Sequence, residues 1–260
     1  MILGVCTGTD ENSVKMAKEI GYRYIETGIR GFYENRAGLD ATLSTLDKYK
    51  IRCEVGQHPF PGEYDPSGKQ SKEALEKIRD YMYELISATS DLNIEKLVMG
   101  AGGARTLPSP DKYDNVVEQM ADICKYSISP VLDHFGIILT LEGLVKGETN
   151  MMNTTDESVN IVKLANEPNI KVMVDLYHAA NENEKFEDFV NYKGYIMHSH
   201  IGKPVPRVMP SRDDGYDYKP FFDALRSAGF NGRMSVEAGS SRADYRESLE
   251  EAFITLSPLL

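Results

Sequence analysis

The second half of the chain places charged or imidazole side chains at the ends of four consecutive apolar runs. Glu142 closes LTLE, Asp175 closes VMVD, His198 and His200 lie in YIMHSH, and Glu237 closes MSVE. One carboxylate after an apolar run is an ordinary event, such as the cap of a neighbouring helix. Three carboxylates and an imidazole on one rim are costly to desolvate unless something neutralises them. A divalent cation does so. Three carboxylate oxygens and one neutral imidazole make an O₃N donor set with room for water or substrate. That set favours Mn²⁺, with Mg²⁺, Co²⁺ or Zn²⁺ as alternatives. Residues two apart on a strand share a face, so His198 and His200 both point inward. His200, nearer the strand end, is taken as the ligand beside Glu142, Asp175 and Glu237. His198 either orients it or a carboxylate from behind, or is a core histidine.

Other residues are placed to meet a substrate. His178, three residues past Asp175, either donates to a substrate oxygen or bonds the backbone as a loop residue. Glu148, six residues past Glu142, either bonds His178 or a substrate hydroxyl or stands in solvent. Lys203 and Arg207 follow the histidine pair. They are the expected contacts for a hydroxyl, carboxylate or phosphate, the plainer reading being exposed loop cations. Glu26 ends the second apolar run and His58 follows the third, each a pocket-lining or structural residue.

These side chains need elements to hold them. Short apolar runs rich in β-branched residues or tyrosine occur at 2–6, 22–26, 51–55, 95–99, 136–142, 170–175, 194–200 and 232–237. Such runs suit strands of a parallel sheet covered by helices. Helical segments alternate with them. Asp10 or Ser13 opens 11–20, which ends at Gly21, and Asp40 lies within 36–49. Ser71 opens a helix to about 89, and Asp111 opens one to about 126 that Pro130 interrupts. Thr155 opens 156–166, and 183–192, 217–228 and 242–256 follow. Alternation of this kind implies right-handed crossovers. Eight units make residues 1–260 a single α/β domain, a closed (β/α)₈ TIM barrel, with a doubly wound open sheet as the alternative. Long segments after the third run (56–70) and the seventh (201–219) fall on the rim where barrels bind ligands. AGGART, after the fourth run, is too weak a signal for a phosphate loop and reads as a tight turn.

Composition narrows the function. Among 260 residues, 29 Lys+Arg against 40 Asp+Glu give a net charge of −11, which disfavours general nucleic-acid binding. No apolar run is long enough to span a membrane. The N-terminal MILGVCTGTDENS lacks the pattern of a secretory signal. Cys6, Cys53 and Cys124 form no CxxC pair and read as reduced thiols, so a cytoplasmic protein is expected.

The pattern resembles the sugar phosphate isomerase/epimerase superfamily, the xylose-isomerase-like (β/α)₈ barrels, and within it the ketose 3-epimerase and hydroxypyruvate isomerase type. The resemblance lies in Glu142 with Glu148 six residues later, in Asp175-Leu176-Tyr177-His178, in His198-Ser199-His200-Ile201-Gly202, and in Glu237. It implies Glu142, Asp175, His200 and Glu237 as metal ligands. It departs where Lys203 replaces an acid, where Arg207 aligns only with a small shift, and where Trp is absent.

The chemistry implied is proton transfer next to a carbonyl of a keto-sugar or sugar derivative. The metal stabilises an enediolate, while Glu142 and Glu237 act as base and acid. The result is epimerisation or isomerisation. The same site could instead drive an elimination, as in a dehydratase or a 3-keto-glycoside or C-glycoside lyase. An apurinic endonuclease would need more histidines than the five present and a basic face. A non-catalytic barrel would tolerate loss of Glu142 or Glu237. The expected partner is a small carbohydrate, with neither nucleic acid nor membrane. The architecture is compatible with a homo-oligomer, dimer or tetramer.

Overall fold

The computed structural model describes residues 1–60, 71–100, 105–107 and 113–260. Residues 61–70 of the first long rim segment, 101–104 of AGGART and the helix start expected at Asp111 lie outside the described residues.

Eight parallel strands close into a barrel in chain order: β1 Ile2–Cys6, β2 Tyr24–Gly28, β3 Arg52–Gln57, β4 Lys96–Met99, β5 Ile138–Glu142, β6 Ile170–Asp175, β7 Ile196–Ile201 and β8 Arg233–Val236. Closure is made where Ile2 to Val5 pair with Arg233 to Val236. The open doubly wound alternative is thereby excluded. The chain is a TIM barrel.

Local chemistry sets the helix ends. Asp10 accepts from Ser13 N at 3.1 Å and opens Glu11–Ile20, which Gly21 ends with φ 118°. Ser71 caps Lys72–Thr89. Thr154, one residue earlier than expected, caps Thr155–Ala165 in a reciprocal box with Glu157. The helix before β5 carries a π-turn at Cys124–Ile128, and Pro130 sits in the first turn of Ser129–Phe135. The segment expected as a helix over 183–192 is instead a 3₁₀ turn at Phe186–Tyr192, preceded by a short helix at Leu176–Asn181. Asp175 nucleates that helix by accepting from Tyr177 N at 2.7 Å.

Inside the barrel, Tyr24, Val55, Val98 and Met173 form a buried cluster. Gly4 makes room for it, since a Cβ there would lie 2.3 Å from the Tyr24 ring. At the N-terminal ends of the strands, Arg233 pairs with Glu54 and with Glu95 (3.1 Å). The C-terminal ends above Tyr24 carry buried polar residues, among them Glu26, Glu142, Asp175 and His200.

Candidate metal centre

Strand register brings the four predicted ligands together. Asp175 on β6 pairs directly with His200 on β7, Glu142 ends β5, and Glu237 follows β8. A donor atom from each of Glu142, Asp175, His200 and Glu237 lies within 4.8 Å of the others. Glu142, Asp175 and His200 are buried.

His200 is oriented from behind. Its Nε2 is 2.8 Å from Glu26 Oε1, and His198 Nε2 is 2.9 Å from Glu26 Oε2. Ser235 Oγ also donates to Glu26 Oε2 at 2.5 Å, and the Tyr24 hydroxyl sits 2.8 Å from Ser235 Oγ. Burial alone would raise the Glu26 carboxyl, but the two imidazoles hold it well below the usual carboxylate range. Glu26 as acceptor takes the Nε2 proton of His200 and turns Nδ1 toward the carboxylates. Nδ1 lies 3.3 Å from Glu237 Oε2 and 3.6 Å from Glu142 Oε1. Against the burial that disfavours an imidazolium, Glu26 and Glu237 raise the His200 pKa well above the ordinary value, so without a cation a proton there offsets part of the negative charge.

Asp175 and Glu237 each engage both carboxylate oxygens within the protein. Asp175 uses Oδ1 for its helix cap, and Glu237 Oε1 accepts from Gln57 Nε2 at 2.8 Å. Arg207 Nη2 bridges the other oxygens, 2.5 Å from both Asp175 Oδ2 and Glu237 Oε2. Its guanidinium lies 4.5 Å from the centroid of the Tyr177 ring. Burial raises the Asp175 carboxyl, only partly opposed by Arg207. It also works on Glu237, but His200 and Arg207 outweigh it and bring that carboxyl to about 2.

Arg207 neutralises only part of the set. Glu142 Oε1 and His200 Nδ1 are buried side-chain atoms that lack a hydrogen-bond partner. Buried polar atoms are normally paired. Two that are not, within one carboxylate-rich cluster, fit a divalent cation of the oxygen- and imidazole-binding kind.

The other sequence-singled residues divide. His178 is buried beside the cluster. Its Nδ1 accepts from Val145 N at 3.1 Å, so the neutral ring carries its proton on Nε2, 3.7 Å from Glu142 Oε1 and Asp175 Oδ2. Burial lowers its pKa and keeps it neutral. Glu148 is exposed, yet close enough to act on Arg207 and His178 through its charge. Lys203 donates from Nζ to the Asp214 carbonyl at 2.8 Å. His58 is exposed at the end of β3 with φ 52° and is not among the clustered donors. Sequence reasoning left the role of Glu26 open and missed Gln57 and Ser235. The inward parity of Glu26, two residues past Tyr24, was the available signal.

Arg105 is fully buried, and none of its three nitrogens has a hydrogen-bond partner. Burial lowers its pKa to about 10, opposed in part by the charges of Glu142, Glu148 and Glu157.

Comparison with known proteins agrees with this architecture. The family model described as "Xylose isomerase-like TIM barrel" matches residues 14–255. The chain is 29% identical over 157 residues to the D-psicose 3-epimerase of Agrobacterium fabrum (strain C58 / ATCC 33970), which is 56% of this chain and 52% of that protein. The chain thus spans about half the length of that curated relative. It is 25% identical over 232 residues to the L-ribulose 3-epimerase of Methylomonas sp. (strain DH-1), 86% of this chain and 77% of that protein. Among solved structures, the apo 3-keto-D-glucoside 4-epimerase YcjR from E. coli superposes with a TM-score of 0.78 at 18% identity, covering 96% of this chain and 97% of that one. This likeness shows the fold alone. The chain belongs to the xylose isomerase-like TIM barrel family.

Proposed function

We propose that the protein is a divalent-metal-dependent epimerase or isomerase of a keto-sugar or sugar derivative. The observation that carries the reading is the pair of unpartnered, buried atoms, His200 Nδ1 and Glu142 Oε1, in a cluster with two further carboxylates. The ketose 3-epimerase names of its relatives support the same reading.

Glu142, Asp175, His200 and Glu237 would hold the ion, with Mn²⁺ favoured by the donor set. When bound, it supplies Lewis-acid polarisation of a substrate carbonyl. Glu142 ends β5 and Glu237 follows β8, and between them they remove a proton from one face of the substrate and return one to the opposite face, each taking the proton up as an ionised carboxylate before giving it back. His178 Nε2–H donates to the polarised oxygen. Arg207, fixed over Tyr177, orients a neighbouring oxygen while balancing Asp175 and Glu237.

Turnover of a ketohexose such as D-fructose in D₂O tests the proposal. Deuterium at the carbon next to the carbonyl, with the carbon skeleton intact and an epimer or aldose formed, supports it. Loss of water or of an aglycone would redirect it to elimination. Failure to exchange with any keto-sugar in the presence of Mn²⁺ contradicts it.

A further inference from the structure

Cys6 ends β1 and pairs with Glu26 on β2. It lies two residues past Gly4, so it shares the inward face that Gly4 presents to the Tyr24 ring. Cys53 and Cys124 are buried, whereas Cys6 is half-buried at the rim. Its Sγ accepts from Gln57 Nε2 at 3.3 Å, the same amide that donates to Glu237 Oε1 at 2.8 Å. One side chain therefore holds the sulfur beside that carboxylate. A donor atom from each of Cys6, His200 and Glu237 lies within 4.8 Å of the others, a set that contains neither Glu142 nor Asp175. His200 is fully buried, and its Nδ1 has no hydrogen-bond partner.

Sulfur changes what the rim can hold. A thiolate, an imidazole and a carboxylate suit Zn²⁺ in fourfold coordination, with water in the remaining position. Three carboxylates and an imidazole suit harder ions such as Mn²⁺. The two sets share His200 and Glu237, so an ion on either takes two donors from the other. We infer that Cys6, His200 and Glu237 form a zinc site, and that Zn²⁺ seated on Cys6 displaces the Mn²⁺-type ion. The thiol gives up its proton to solvent as the sulfur–zinc bond forms, and the Gln57 amide bonds the resulting thiolate from behind. The displacement rests on the metal centre of the proposed function, whereas the thiol site stands on Cys6 and its neighbours.

Cd²⁺, whose bond to a thiolate absorbs in the ultraviolet, reports on the sulfur directly. Titrating the metal-free protein with Cd²⁺ should raise a sulfur-to-metal charge-transfer band that Cys6→Ser, checked for folding by thermal melting, lacks. Cys53 and Cys124 remain in the variant, so a band that persists there, or no band in the unmutated protein, overturns the inference. Zn²⁺ affinity, read by competition with a chelating dye, should fall at least about tenfold in Cys6→Ser, while Mn²⁺ affinity changes less than about threefold. Equal loss of both ions, or of neither, overturns it. Elemental analysis of the Mn²⁺-loaded protein after addition of Zn²⁺ should find zinc in place of manganese, one ion per chain. Both ions retained together contradicts the shared ligands. If Mn²⁺ does not bind at all, the proposed function fails on its own, and the Cd²⁺ band still decides the thiol site. Should Cys6→Ser not fold, Cys6→Ala replaces it under the same criteria.

Discussion

Glu26 Oε1 lies 2.8 Å from His200 Nε2, and this contact selects which nitrogen of His200 faces the carboxylates. Buried hydrogen-bond partners of a ligating histidine fix its tautomer and ring orientation, and their loss typically costs 10–100-fold in metal affinity. Glu26→Gln can offer an amide N–H where an acceptor is needed. Mn²⁺ affinity should fall about 10–100-fold, as read by competition with a chelating dye. Unchanged affinity would show that His200 is held some other way.

Arg207 ties Asp175 to Glu237. Its removal should therefore hurt the metal-free protein more than the loaded one. In Arg207→Met without metal, buried Asp175 and half-buried Glu237 lose their counter-charge, a loss of about 3 kcal/mol, the low end for breaking a buried pair. At roughly 2–4 °C per kcal/mol for a domain of this size, melting should drop by about 6 °C or more. Mn²⁺ should recover most of that drop. Equal drops with and without Mn²⁺ would mean that the ion does not share these carboxylates.

His178 touches the cluster without belonging to the four donors. His178→Asn should lower turnover about 100-fold, the scale of a positioned proton donor, while metal content stays at the wild-type level. Elemental analysis beside a turnover assay separates the two effects. Loss of the metal together with activity would make His178 a ligand.

Glu142→Gln and Glu237→Gln should each lower turnover by about 100-fold or more, with the circular dichroism of the barrel retained. Full activity in either variant would remove that residue from proton transfer.

Much of this site was legible because a parallel strand ends where its apolar run ends. Glu142 and Asp175 close β5 and β6 and Glu237 follows β8, so counting along the runs located them on the rim. Parity did the same for His198 and His200. Cross-barrel partners left weaker traces. Glu26 meets His200 across 174 residues, and Gln57 meets Glu237 across 180, pairings that only closure of the barrel creates. The loop contacts of Lys203 were not legible, because the loop folds back so that Lys203 N bonds the Val208 carbonyl and Nζ the Asp214 carbonyl. The short helix at Leu176–Asn181 escaped notice because Asp175 was read only as a ligand, although its second oxygen caps that helix.

The most direct test of the metal centre is elemental analysis of the purified protein and of His200→Ala after equilibration with Mn²⁺ and removal of free ion. One divalent ion per chain in the unmutated protein, and a loss of nearly all of it in the variant, is the predicted result. Either no bound ion in the unmutated protein, or full occupancy without His200, contradicts the assignment of Glu142, Asp175, His200 and Glu237 as its ligands.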